Sequence, residues 1–100
     1  MSSSKKVQNA RSRKAKPGDG DQDRQILIRN IKARRRALGL NLHDASVRCG
    51  MDAQYLETLE NGRKRNPGLE TLTKVRIGLE TTLAWLFTPH DGKGGGDDGA

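Results

Sequence analysis

Residues 41–61 read NLHDASVRCGMDAQYLETLEN, and the punctuation of this stretch decides the fold. Asn41 is a residue type that caps helix N-termini through its side-chain oxygen, and Asp44, three positions on, completes a box-like start. The spacing predicts a helix from there to Cys49. Gly50 then supplies the left-handed residue on which a helix ends in a tight turn. Asp52 predicts a second cap, for a helix of about Ala53 to Asn61 closed by Gly62. At about 100° per residue, Leu56 and Leu59 share one side of that helix while Gln54, Thr58 and Asn61 point the opposite way.

The same helical period extends in both directions. A preceding helix of about Arg24 to Leu38 carries Leu27, Ile31 and Leu38 on one face and is closed by Gly39. After Pro67, a helix of about Leu69 to Leu79 has Leu69, Leu72, Val75 and Leu79 as its expected buried stripe. Thr82 caps a last short helix containing Leu83, Trp85, Leu86 and Phe87. No segment alternates as a half-buried strand does, so the fold class is all-α, a compact five-helix domain over residues 24–88. Leu56, Leu59, Trp85 and Phe87 are expected in the core, with Cys49 as a small buried hydrophobe. A domain of this size buries only about 60% of its unfolded surface, so modest stability follows. Residues 1–23 are polar and basic (Lys5, Lys6, Arg11, Arg13, Lys14, Lys16) and end in the break Pro17-Gly18-Asp19-Gly20-Asp21. They are expected to form a disordered basic arm, and the Gly- and Asp-rich residues 89–100 a flexible tail.

Charge and composition narrow the function. Nineteen Lys and Arg against twelve Asp and Glu give the 100-residue chain a formal +7. Residues 26–88 alone carry 11 basic and 6 acidic side chains, net +5, so the domain is basic without help from the arm. That surplus suits a polyanion, nucleic acid first. No run approaches 18 consecutive apolar residues, so no membrane span is expected. No apolar segment follows the N-terminal basic residues, so no secretory signal is expected either. One cysteine excludes an intramolecular disulfide and fits a reducing cytoplasm. Cys49, His43 and His90 lack the spacing of metal ligands, and neither a metal nor a cofactor is implied. An enzyme is rejected, because the sequence offers no carboxylate pair, nucleophile–base set or Gly-rich phosphate loop. No small-molecule ligand is indicated.

The outward face of the Ala53–Asn61 helix is short, uncharged at its centre and rich in groups that hydrogen-bond base edges. Arg63, Lys64 and Arg65 follow it directly, which places readers in the middle and phosphate-seeking cations at the rim. At this point the sequence resembles the phage repressor and Cro-type (XRE-like, lambda-repressor-like) helix-turn-helix family. The stretches Arg35-Arg36-Ala37-Leu38-Gly39-Leu40-Asn41, Cys49-Gly50-Met51, Leu59-Glu60-Asn61-Gly62, Pro67-Gly68-Leu69-Glu70-Thr71-Leu72 and Leu83-Ala84-Trp85-Leu86-Phe87 stand in the family's order and spacing. The sequence departs from the family at three places. Leu42 stands where Gln is usual, Ala45-Ser46 where Leu-Ala is usual, and Glu80 where a Gly usually follows the fourth helix. If that last cap is kept, Glu80 has to bear a left-handed backbone.

The resemblance implies a cytoplasmic, nucleoid-associated regulator of transcription, a repressor, whose partner is double-stranded DNA. Gln54 is the expected principal base reader, since its amide both donates and accepts and so matches adenine N6 and N7. Thr58 offers a hydroxyl or a methyl, Ala53 a methyl contact, and Glu57 an acceptor for cytosine N4. Asn41, His43, Tyr55, Asn61, Arg63, Lys64 and Arg65 are the expected backbone contacts. By the same resemblance Arg35 and Glu60 form a structural ion pair, and Glu60 does lie on the Leu56 flank of its helix, toward the domain body. Family members often dimerise on a palindromic site, but no heptad appears here, and monomer and homodimer both stay open. The alternative function is an RNA- or ribosome-associated bridging module of the same fold.

Overall fold

The computed structural model describes residues 14–64 and 66–90. All regular structure among them is helical, in five elements: α1 (Asp21–Ala37), α2 (Leu42–Cys49), α3 (Ala53–Glu60), α4 (Leu69–Gly78) and α5 (Leu83–Leu86). None of these helices is long and apolar enough to cross a membrane.

α1 begins three residues ahead of the expected Arg24. Its first turn carries Asp21 and Asp23, which complement the positive end of the helix, and Asp21 also pairs with Arg24 at 2.7 Å. Asn41 caps α2 by accepting the Asp44 N–H at 2.7 Å, and Gly50 ends it with φ 67°. Thr82 caps α5 by accepting the Trp85 N–H at 3.0 Å. Asp52 holds the extended N-cap backbone of α3 but makes no side-chain cap bond. Its exposed carboxylate acts on that helix by charge alone.

The core is aliphatic and continuous: Leu27 and Ile31 of α1, Ala45 and Cys49 of α2, Leu56 and Leu59 of α3, Leu72, Val75 and Leu79 around α4, and Leu86 of α5. α2 packs on both α3 and α4, α1 receives α3 and α5, and α4 touches α5. The α2–α4 crossing is so close that a Cβ on Gly78 would stand 2.6 Å from the Cys49 sulfur and 2.8 Å from the Arg48 carbonyl. Only glycine fits there. Burial in this crossing pushes the Cys49 thiol above its ordinary pKa, as expected of an inert buried cysteine.

Four expected core positions fall elsewhere. Leu69 is 68% exposed, because it opens α4 about 60–120° away from the direction of Leu72, Val75 and Leu79. Phe87 caps the end of α5 at the surface, Leu86 takes the buried place beside it, and Trp85 is half-buried. Leu38 likewise only packs against the edge of the core.

Polar side chains fasten the chain ends. Asn30, fully buried on α1, donates through its amide to the carbonyls of Trp85, Leu86 and Thr88 at 2.8–3.2 Å, latching α5 onto α1. Arg34 donates to the carbonyls of Leu79 at 2.8 Å and Glu80 at 3.0 Å, satisfying groups at the end of α4 that have no partner within the helix. Glu80 has φ 56°, the left-handed conformation that the missing glycine implied. Its neighbours close a Schellman-type end, with Glu80 N–H donating to Ile77 and Thr81 N–H to Arg76.

Candidate nucleic-acid interface

α2 and α3 are joined by Gly50, Met51 and Asp52, and this turn fixes how α3 is presented. Met51 donates its N–H back to the Ser46 carbonyl at 3.0 Å, completing the left-handed closure at Gly50. At the unusual Ala45-Ser46 pair, Ala45 is fully buried, and Ser46 turns its hydroxyl to the His43 carbonyl at 2.7 Å. Small residues here let α2 sit deep between α3 and α4.

α3 divides into two faces. Leu56, Leu59 and Glu60 are buried, and Gln54, Glu57 and Asn61 are exposed on the other side. Ala53, Tyr55 and Thr58 are half-buried at the flanks, and Tyr55 packs against the core with its ring. The Thr58 hydroxyl donates to the Gln54 carbonyl at 2.9 Å. Its proton is therefore committed within the helix, and toward solvent it presents an acceptor oxygen and a methyl.

The segment after α3 is tied to the helix it leaves. Arg63 N–H donates to the Thr58 carbonyl and to Asn61 Oδ1, each at 3.1 Å. The Asn61 amide is thus oriented with its oxygen inward, which leaves Nδ2 as its donor to an external acceptor. Arg63 and Lys64 are exposed beyond Gly62, and Arg65 lies outside the described residues. Asn41 and His43 are exposed at the start of α2. Because the Asn41 oxygen is occupied by the Asp44 N–H, an anion at this cap would be met by its Nδ2.

Arg35 and Glu60 come together between α1 and α3. The contact is two-pronged, Arg35 Nε to Glu60 Oε2 at 2.6 Å and Nη2 to Oε1 at 3.0 Å, while Nη1 donates to the Leu40 carbonyl at 2.9 Å. The hydrogen bond to Glu60 holds the guanidinium more firmly charged than usual despite its burial. Three adjacent arginines therefore do three things. Arg34 closes α4, Arg35 holds α3, and Arg36 stands in solvent.

Sequence reasoning missed the roles of Asn30 and Arg34. A signal for Asn30 existed: it lies between Leu27 and Ile31 on the core flank of α1, where a polar residue needs internal partners. Arg34 offered none, since its carbonyl partners lie 45 and 46 residues away in the chain.

Comparison with known proteins agrees with this architecture. The family described as Helix-turn-helix matches residues 31–86. The uncharacterized HTH-type transcriptional regulator y4dJ of Sinorhizobium fredii is 37% identical over 68 residues, covering 68% of this chain and 87% of that protein. The HTH-type transcriptional regulator SlrR of Bacillus subtilis is 32% identical over 62 residues, covering 62% of this chain and 41% of SlrR, so the chain spans under half of that relative. No solved structure matches the chain.

Proposed function

The chain belongs to the helix-turn-helix family of DNA-binding transcriptional regulators, and we propose that it is a repressor that reads the major groove of duplex DNA with α3. The observation that carries this reading is the outward face of α3. Gln54 is exposed at its first turn, where helix-turn-helix proteins approach base edges, and the Arg35–Glu60 clasp holds the opposite face to the domain body. In this reading Gln54 contacts bases, with Ala53, Glu57 and Thr58 beside it. Asn41, His43, Tyr55, Asn61, Arg63, Lys64 and Arg65 take phosphates and set register. The basic arm before Asp23, of which residues 1–13 lie outside the described part of the chain, adds affinity without sequence information. The protein works in the cytoplasm on the nucleoid and represses by occluding a promoter.

Selection of bound duplexes from a random pool tests this reading, followed by competition of the selected site with random duplex and with structured RNA. Preference for the selected site by about a thousandfold or more is expected. Equal binding of all three would overturn it. The symmetry of the selected sequence decides between one copy and a homodimer on a palindrome. Transcription from a promoter overlapping that site should fall when the protein is added, and a rise would mean an activator.

A further inference from the structure

The outward side of α1 is a second cationic surface. With Arg29 as origin and about 100° per residue, Lys32 lies at about 300°, Gln25 at 320° and Arg36 at 340°, whereas Leu27 and Ile31 lie at 160° and 200°. Gln25, Arg29, Lys32 and Arg36 are all exposed. The remaining α1 arginines are engaged: Arg24 with Asp21, Arg34 with the end of α4, Arg35 with Glu60. Among the described residues, no ion pair takes Arg29, Lys32 or Arg36.

This stripe adjoins the end of α3. α3 meets α1 along the flank at about 240–260°, where Arg35 and Ile28 lie: Glu60 is held by Arg35, and a Cβ on Gly62 would stand 3.1 Å from Ile28 Cδ1. The stripe begins about 40° further round. Between them runs an open groove of about 440 Å³ lined by Arg24, Gln25, Ile28, Arg29, Asn61 and Gly62. Arg29 therefore faces Asn61 across a groove, and Arg63 and Lys64 follow Gly62 in the chain.

We propose that Arg29 and Lys32 are phosphate contacts to duplex DNA flanking the site read by α3, so that α1 lengthens the footprint beyond the recognition helix. The inference rests on the reading that α3 docks on duplex DNA. Two features select this occupant. The stripe is continuous, through the groove, with the cations that follow α3, and it contains no large apolar side chain. A protein partner needs an apolar or aromatic centre to bury, whereas a phosphate strand needs only charge and donors. Arg29 and Lys32 stand three residues apart on one side of α1, about 4.5 Å along the helix axis, so both long side chains can reach phosphates of the same strand.

The double variant Arg29→Ala/Lys32→Ala tests this in the full chain, on a selected duplex carrying about ten extra base pairs on each side and on the same duplex trimmed to its core. Lys74→Ala on α4, also an exposed lysine, is the charge control. On the flanked duplex the double variant should bind roughly tenfold more weakly at low salt, with a slope of log affinity against log salt shallower by about 2. Its preference for selected over random sequence and its melting temperature should match the wild type. On the trimmed duplex the difference should shrink, and Lys74→Ala should behave as wild type on both. An unchanged salt slope on the flanked duplex overturns the proposal alone. So does an equal loss on the trimmed duplex, or a loss confined to binding of an acidic polypeptide such as polyglutamate. If the wild-type chain itself prefers no duplex, the reading of α3 falls and this proposal with it.

Discussion

Arg35 on α1 and Glu60 on α3 form a bidentate ion pair whose side chains are only 12% and 4% exposed. Its two hydrogen bonds span 25 residues of sequence and set the rotation of α3 about its own axis. A buried pair is poor ground for claiming net stabilisation, but removing one partner leaves the other charge stranded, at a cost of about 3–5 kcal/mol. In a domain of this size each kcal/mol moves the melting temperature by about 4–8 °C. Glu60→Gln should therefore lower the melting temperature by more than about 10 °C, while Glu57→Gln, on the exposed face, should move it by no more than a few degrees. Thermal unfolding followed by circular dichroism makes the comparison. Equal effects would deny the pair any structural role.

Glu80 carries the second prediction. It occupies the left-handed region with φ 56° at the end of α4, and its carboxylate pairs with Arg48. The pair is solvent-exposed and contributes little. The backbone conformation costs a side-chain-bearing residue roughly 1–2 kcal/mol relative to glycine. Glu80→Gly and Glu80→Ala both remove the carboxylate, so their difference isolates the backbone. The Gly variant should melt several degrees above the Ala variant. Identical melting temperatures would mean that the end of α4 is not held left-handed in solution.

How far these features were legible in the sequence depends on the distance over which they act. The Asn41 cap, the turn at Gly50 and the two faces of α3 are local chemistry within one or two helical turns, and they read directly. The Arg35–Glu60 contact came from family resemblance, because no periodicity links residues 25 apart. Leu69 and Phe87 misled because hydrophobicity at a helix end does not say whether a neighbouring element reaches that far. Of the candidate site, the face of α3 was legible, and the stripe on α1 was not. No local signal sets Arg29, Lys32 and Arg36 apart from other exposed charges, and it is the groove beside Asn61 that places Arg29 next to the end of α3.

The N-terminal residues supply a third prediction. Residues 1–13 contain Lys5, Lys6, Arg11 and Arg13 and precede α1 and the turn before it. A deletion of these residues should weaken binding to selected and random duplexes by the same factor. The salt slope should become shallower by up to about 4, one unit for each phosphate that is no longer neutralised. A deletion that leaves both affinity and slope unchanged shows that the segment takes no part in binding.

The last prediction separates the reader from its anchors. Gln54 is exposed at the first turn of α3, and its backbone carbonyl accepts the Thr58 hydroxyl at 2.9 Å. A glutamine amide that donates to adenine N7 and accepts from N6 gives about 1–3 kcal/mol of discrimination. Gln54→Ala should cost that amount on the selected site, lose little on random duplex, and relax preference at one base pair for each copy of α3 on the DNA. Arg63 is exposed after α3 with its backbone pinned to Thr58 and Asn61, so its side chain projects from a fixed base toward the rim. Arg63→Ala should weaken selected and random DNA alike and flatten the salt dependence by about 1. The two variants thus move different observables, a ratio of affinities in one case and a salt slope in the other. Binding isotherms for both variants on both duplexes at three salt concentrations supply every value needed. A Gln54→Ala variant that loses selected and random DNA equally, or loses neither, would transfer the role of reader away from this residue.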